Sequence, residues 1–234
     1  MAKFLIIETT TENCSVALSK DGAVVAVKES TENNAHSKNV DVFINEICKE
    51  SNIALNNIDA IVVSKGPGSY TGLRIGVSTA KGICYALNKP LIAVSSLEAL
   101  AFHASKKYSI TYIFYPMIDA RRMEVYSAIW KVKGRGEIEE IRDVQAEIID
   151  KNSIDALNFV HKILLLGNGA TKFKETFAED KRIVFDDEIQ ISATNMVELA
   201  EKAFEKQDFE DVAYFTPFYL KDFIAGMPKV KGLK

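Results

Sequence analysis

The stretch Lys65–Lys81, KGPGSYTGLRIGVSTAK, holds the residue types best able to bind or to do chemistry. It follows the apolar run Ile61, Val62, Val63, and Gly66-Pro67-Gly68 lets neither strand nor helix continue, which predicts a sharp turn into a helix. Ser69 or Thr71 can cap that helix and leave N–H groups and the positive dipole end facing whatever lies above. One reading is an anion cradle, although neither the Walker pattern GxxxxGK followed by Ser or Thr, nor GxGxxG, nor GxSxG is present. The other reading concerns the helix itself. Gly72, Gly76 and Ala80 fall at i, i+4 and i+8, a side-chain-poor stripe that invites a close neighbour, within the chain or from another.

Three smaller clusters pose the same choice between chemistry and structure. Thr9, Thr10 and Thr11 place hydroxyls and amides after the first strand, where they can hold phosphate or satisfy their own backbone. Gly167-Asn168-Gly169 can cradle an anion or simply turn the chain. In Asp119-Ala120-Arg121-Arg122-Met123-Glu124, opposite charges can tie down a loop or meet a ligand. No histidine lies between His36 and His103, so neither HxxxH nor HExxH can be built on His36, which reads as a helix-start or interface residue. Cys14, Cys48 and Cys84 are far apart without CxxC, which argues against a disulfide framework or zinc site and for a reducing, cytoplasmic setting.

The elements that position these residues can be read in order. Phe4–Ile7, the alternating CSVALSK and Ala23–Val27 predict a three-strand meander with a tight turn at Asp21-Gly22. Val40, Phe43, Ile44, Ile47 and Cys48 recur at helical spacing. A strand at 58–63, the small-residue helix, a strand at 91–94 and a short helix at 97–104 started by Ser95-Ser96 complete the order βββαβαβα. Lys106-Lys107 reads as a hinge. Beyond it come strands at 112–118 and 125–132, a hairpin at Gly134–Gly136, mixed strand pattern at 138–149, a strand at 163–166, a helix around Phe173 and Phe177, and an amphipathic helix at 196–204. The lysine-bearing end, Lys229 to Lys234, is expected to be mobile.

A chain of 234 residues, 47% hydrophobic and 26% charged, has the make-up of a globular protein with a sizeable core. Its net charge of −3 supplies no electrostatic footprint for nucleic acid, so work on RNA would need a helper. No apolar run reaches membrane-spanning length and no leader-like segment opens the chain, so neither export nor insertion is expected.

IIETTTENCSVAL, KGPGSYTGLRIGVSTAKGICYALNKPLIAVSSLEALA and IDARRMEVYSA closely resemble the bacterial TsaB (YeaZ) family. The likeness runs through Tyr126 and fades after about residue 135, apart from the closing PFYL. It implies an α/β, two-lobed fold of the actin, sugar kinase and Hsp70-like (ASKHA) type, each lobe a mixed sheet flanked by helices. Residues 1–105 would form a partner-binding lobe, 106–210 a second lobe, and 211–234 a segment returning to the first. The family supports formation of N6-threonylcarbamoyladenosine at position 37 of ANN-reading tRNAs without being the catalyst. The resemblance implies pairing with the catalytic subunit TsaD, which carries an HxxxH this chain lacks. An ATPase, TsaE, joins them, and TsaC supplies threonylcarbamoyl-AMP. It further implies a homodimer when the chain is alone, and tRNA contacted only through the complex.

Within that family resemblance the pairing elements are the glycine-stripe helix and the helix begun by His36, which nominates His36, Val40, Phe43, Ile47, Gly72, Leu73, Gly76, Val77 and Ala80 as interface. Glu8 stands where such folds generally carry a phosphate-site aspartate. Glu8, Thr9, Thr10, Gly66, Gly68 and Ser69 then form a remnant phosphate site with no metal and no cofactor of its own, ATP or ADP at the partner interface being left open. The alternatives are an ATP-dependent enzyme of the same fold, a glycoprotease-like peptidase, or a stand-alone homodimer with a binding role.

Overall fold

The computed structural model describes residues 2–32, 35–157 and 161–221, and the Lys229 to Lys234 tail lies outside them. Five strands form the first sheet: β1 (Lys3–Glu8), β2 (Cys14–Lys20), β3 (Ala23–Ser30), β4 (Ala60–Gly66) and β5 (Leu91–Ser95), in the order β3-β2-β1-β4-β5. The meander is antiparallel, and β4 and β5 join it in parallel. Asp21 and Gly22, both at positive φ, make the first tight turn, the conformation that an Asp-Gly pair favours. α1 (Ala35–Ser51) and α2 (Tyr70–Leu87) cover one face. Strand parity decides what each face buries. Leu5 and Ile7 meet Val40, Ile44 and Ile47 of α1 and Val77 and Ala80 of α2. Phe4 and Ile6 meet Ala193, Met196, Val197 and Ala200 on the other. Each such side chain contributes about 1.5 to 3 kcal/mol by leaving water.

The second lobe repeats the plan with β6 (Tyr112–Asp119), β7 (Glu124–Gly134), β8 (Glu137–Ile148), β9 (Lys162–Leu166) and β10 (Ile183–Asp186), in the order β10-β9-β6-β7-β8. α3 (Ser96–Ala104), capped by Ser95 Oγ, packs Leu97, Leu100 and Ala101 against Phe114 and Ile118. The opposite face buries Tyr115 and Met117 with Ile154 of α4 (Lys151–Ala156), Phe173 and Phe177. Among the elements that go beyond the sequence reading are α4, started by an Asp150–Ser153 capping box, and the four-residue β10. The helix expected around Phe173 and Phe177 is a 3-10 turn, Ala170–Phe173, followed by further turns that still bury both rings.

α5 (Val197–Glu205) confirms the last amphipathic pattern, but residues 193–204, grouped by sequence with 106–210, cover the first sheet. Nor is Lys106-Lys107 a loose hinge. Lys106 pairs with Glu198, and Lys107 Nζ and Tyr108 Oη both donate to the buried Asp186 Oδ2, at 2.8 and 2.7 Å.

Candidate functional site

The clusters singled out by sequence converge on one cleft of about 830 Å³ between the lobes. Thr10, Thr11, Gly68 and Ser69 line it from the first lobe, Asp119, Arg121, Asn168 and Thr171 from the second, and Phe218 to Lys221 close one side. Its floor is built by strand-end geometry: β1 runs into the threonine loop, β4 into the glycine turn. Ser69 Oγ accepts from Gly72 N at 3.2 Å and caps α2. Ser69 N donates to Thr10 O at 2.7 Å, which clamps the two loops together.

This clamp answers the question of what the small-residue stripe is for. A Cβ on Gly72 would lie 2.0 Å from Thr9 O, and one on Gly76 would lie 2.3 Å from Thr9 Oγ1. Thr9 Oγ1 in turn donates to Gly72 O at 2.8 Å. The stripe therefore receives the threonine loop of its own chain, which corrects the outward reading. Val40, Ile47, Leu73, Val77 and Ala80 are buried in this chain as well, and of the nominated interface only His36 and Phe43 keep partial exposure. The outward face of α1 and α2 instead presents Val42, Ser78, Gly82 and Tyr85. Tyr85 is 87% exposed. A Cβ on Gly82 would meet nothing within 4 Å among the described residues, so no packing among them requires this glycine. A polar-face position that gives up helix propensity without internal return was the signal the sequence offered for that face.

Glu8 does not face the cleft as a metal-organising carboxylate would. Its side chain is 1% exposed, and Oε1 accepts from Thr10 N at 2.6 Å and Thr10 Oγ1 at 2.5 Å. By parity it shares the face of Phe4 and Ile6. Burial raises its pKa above the ordinary carboxylate value, and the Thr10 hydrogen bonds offset part of that. Burial likewise lowers the His36 pKa, against backbone hydrogen bonds with Thr11 and Asn13, so the imidazole is neutral at pH 7. The thiols of Cys14 and Cys84 are pushed up to about 11 and about 12 by burial, with Glu8 adding to the effect at Cys14. Neither is a thiolate nucleophile at neutral pH.

The second-lobe loops are fastened structurally. Asn168 Oδ1 accepts from Asp119 N at 3.0 Å, and Asp119 Oδ1 accepts from Arg121 N and Lys172 Nζ, both at 2.6 Å. Gly167 sits at φ +85°, where a Cβ would strike Met117 O at 2.5 Å. The GNG stretch is thus a turn whose side chain is spent on the neighbouring loop. Arg121 and Arg122 occupy left-handed φ of +72° and +51°, and Arg121 and Lys221 line the cleft together with Glu12, Asp119 and a set of hydroxyls and amides. Such a lining suits a polar guest.

The family model described as "TsaD: tRNA N6-adenosine threonylcarbamoyltransferase" matches residues 27–229. The tRNA threonylcarbamoyladenosine biosynthesis protein TsaB of Haemophilus influenzae is 30% identical over 93% of both chains. Among solved structures, YeaZ from Pseudomonas aeruginosa superposes with TM-score 0.79 at 26% identity, covering 94% of this chain and all of that one. The ethanolamine utilization protein EutJ of Carboxydothermus hydrogenoformans, 10% identical with TM-score 0.52 over 84% of this chain and 90% of its own, shares the fold alone. With two mixed sheets, a polar interlobe cleft and these relatives across nearly its whole length, the chain belongs to the TsaB (YeaZ) family within the wider TsaD group and has its two-lobed ASKHA fold.

Proposed function

We propose that this protein is a non-catalytic subunit of the assembly that forms N6-threonylcarbamoyladenosine at position 37 of ANN-decoding tRNAs. The names borne by its relatives support the pathway. The observation that carries the non-catalytic assignment is the buried Glu8 carboxylate, whose Oε1 is taken up by Thr10 rather than offered to a guest in the cleft. The subunit pairs with a TsaD-like catalytic chain, a TsaE-like ATPase joins the pair, and tRNA is reached through the assembly. Alone, it forms a homodimer through the same surface. That surface is the outer face of α1 and α2, where Tyr85 and Gly82, both exposed, stand one helical turn apart.

Reconstituting the modification from purified subunits tests this reading. Omitting the chain should abolish product, and restoring it with Glu8→Gln should return activity to within about twofold, well under the 1.4 kcal/mol that a tenfold change represents. A Glu8→Gln protein that still pairs with the catalytic subunit but gives no product would overturn it.

A further inference from the structure

We infer that residues 213–221 form a latch that covers one side of the interlobe cleft and fastens the two lobes to each other, and that its far end is built to release. The segment has neither helix nor strand from Thr216 to Leu220 and is held at discrete points. Its near end is anchored to the first lobe. Lys81 Nζ donates to Ala213 O at 3.2 Å and Phe215 O at 2.9 Å, and Phe218 N donates to Lys65 O at 2.7 Å. Gly66, at φ +105°, lets the chain approach so closely that a Cβ there would lie 2.9 Å from Phe218 O.

Past Phe218 the contacts change in kind. The Tyr219 ring lies 4.8 Å from that of Tyr70 at the start of α2, and Lys221 crosses the cleft to pair with Glu124 and to lie 5.7 Å over the Tyr126 ring. Tyr219 remains 40% exposed, so its ring is only partly covered and one aromatic contact with Tyr70 holds it. The Lys221–Glu124 pair is itself exposed enough to be screened. Firm anchoring on one lobe, a weak clasp on the other and a binding-type cleft beneath are the parts of a latch. Release at Tyr219 and Lys221 would uncover the Gly68–Leu73 wall and remove one tie between the lobes while Lys81 and Lys65 keep the segment attached.

Amide hydrogen exchange on the full chain tests this, with Thr10, Thr11 and Thr71 reporting on the cleft wall and Ile6 and Leu165 on the two sheets. Lys221→Glu should speed exchange at the wall by about two- to fivefold, in line with exposed ion pairs. Adding Tyr219→Ala should take the effect to about tenfold or more. The reversed pair, Lys221→Glu with Glu124→Lys, should bring the wall back to the parent rate. Unchanged wall exchange in the Tyr219→Ala, Lys221→Glu protein overturns the latch. So does an acceleration that is equal at Ile6 and Leu165, because that would be general loosening, or one that the reversed pair fails to restore.

Discussion

Gly72 and Gly82 lie on the same helix, yet one substitution should move stability in opposite directions at the two sites. Alanine favours a helix interior over glycine by about 1 kcal/mol. At Gly82 a new methyl would meet nothing within 4 Å among the described residues, so the gain is realised in full and the melting temperature should rise by about 2 to 4 °C. At Gly72 the same methyl would fall 2.0 Å from the Thr9 carbonyl, a backbone atom that cannot rotate away. β1 is paired on both sides, so α2 would have to lift off the threonine loop and lose the Thr9 Oγ1 bond to Gly72 O. Overpacking costs about 1 to 3 kcal/mol, and a backbone obstruction belongs at the upper end. Set against the propensity gain, the net loss is about 2 kcal/mol, a fall of about 4 to 8 °C in a chain of this size. Thermal unfolding followed by circular dichroism reads both variants. A Gly72→Ala protein melting at or above the parent temperature would refute the argument that the stripe exists to receive the loop.

Glu8→Gln should stabilise the protein at neutral pH. A carboxyl whose folded pKa is raised above the unfolded 4.5 contributes fully below 4.5, and stability is lost as pH climbs through the folded value. Denaturant midpoints across that window should fall with pH for the parent and stay flatter for the variant. Lys81→Ala removes the donor to Ala213 O and Phe215 O, so melting should drop by about 2 to 4 °C and proteolysis at the closing segment should quicken. Tyr85→Ala should leave melting unchanged, because the side chain is 87% exposed, yet weaken binding of a TsaD-like partner about 30-fold as a buried tyrosine anchor does. Titration calorimetry checks that value, and unchanged affinity would move the interface off this face.

Features fixed by neighbours in sequence were legible before any coordinates. The Asp21-Gly22 turn and the Ser69 and Ser95 caps act within a few residues, and strand alternation names the buried side directly. What a feature touches across the fold was less readable. Three small residues at helical spacing say that something comes close, and whether that is a partner or Thr9 depends on where β1 ends. For Gly167-Asn168-Gly169 the anion loop and the plain turn could both be read, and the acceptor role of Asn168 toward Asp119, far away in the chain, is what selects the turn. Nothing near Lys81 in the sequence shows that the closing segment lies against it. The apolar side of α5 would suit either sheet, and periodicity carries no address.

The return of residues 193–204 to the first sheet has a consequence for the order in which the molecule can be made. Phe4, Ile6, Val62 and Ile92 are laid down early in synthesis, but the residues that seal them, Ala193 to Phe204, are added after the whole second sheet. A ribosome can therefore release β1 to β5 as a meander with α1 and α2 on one side while its other side still lacks most of its cover. Residues 1–105 cut out on their own would keep that bare face permanently and should associate through it. The lobe that is synthesised first is the one that is finished last.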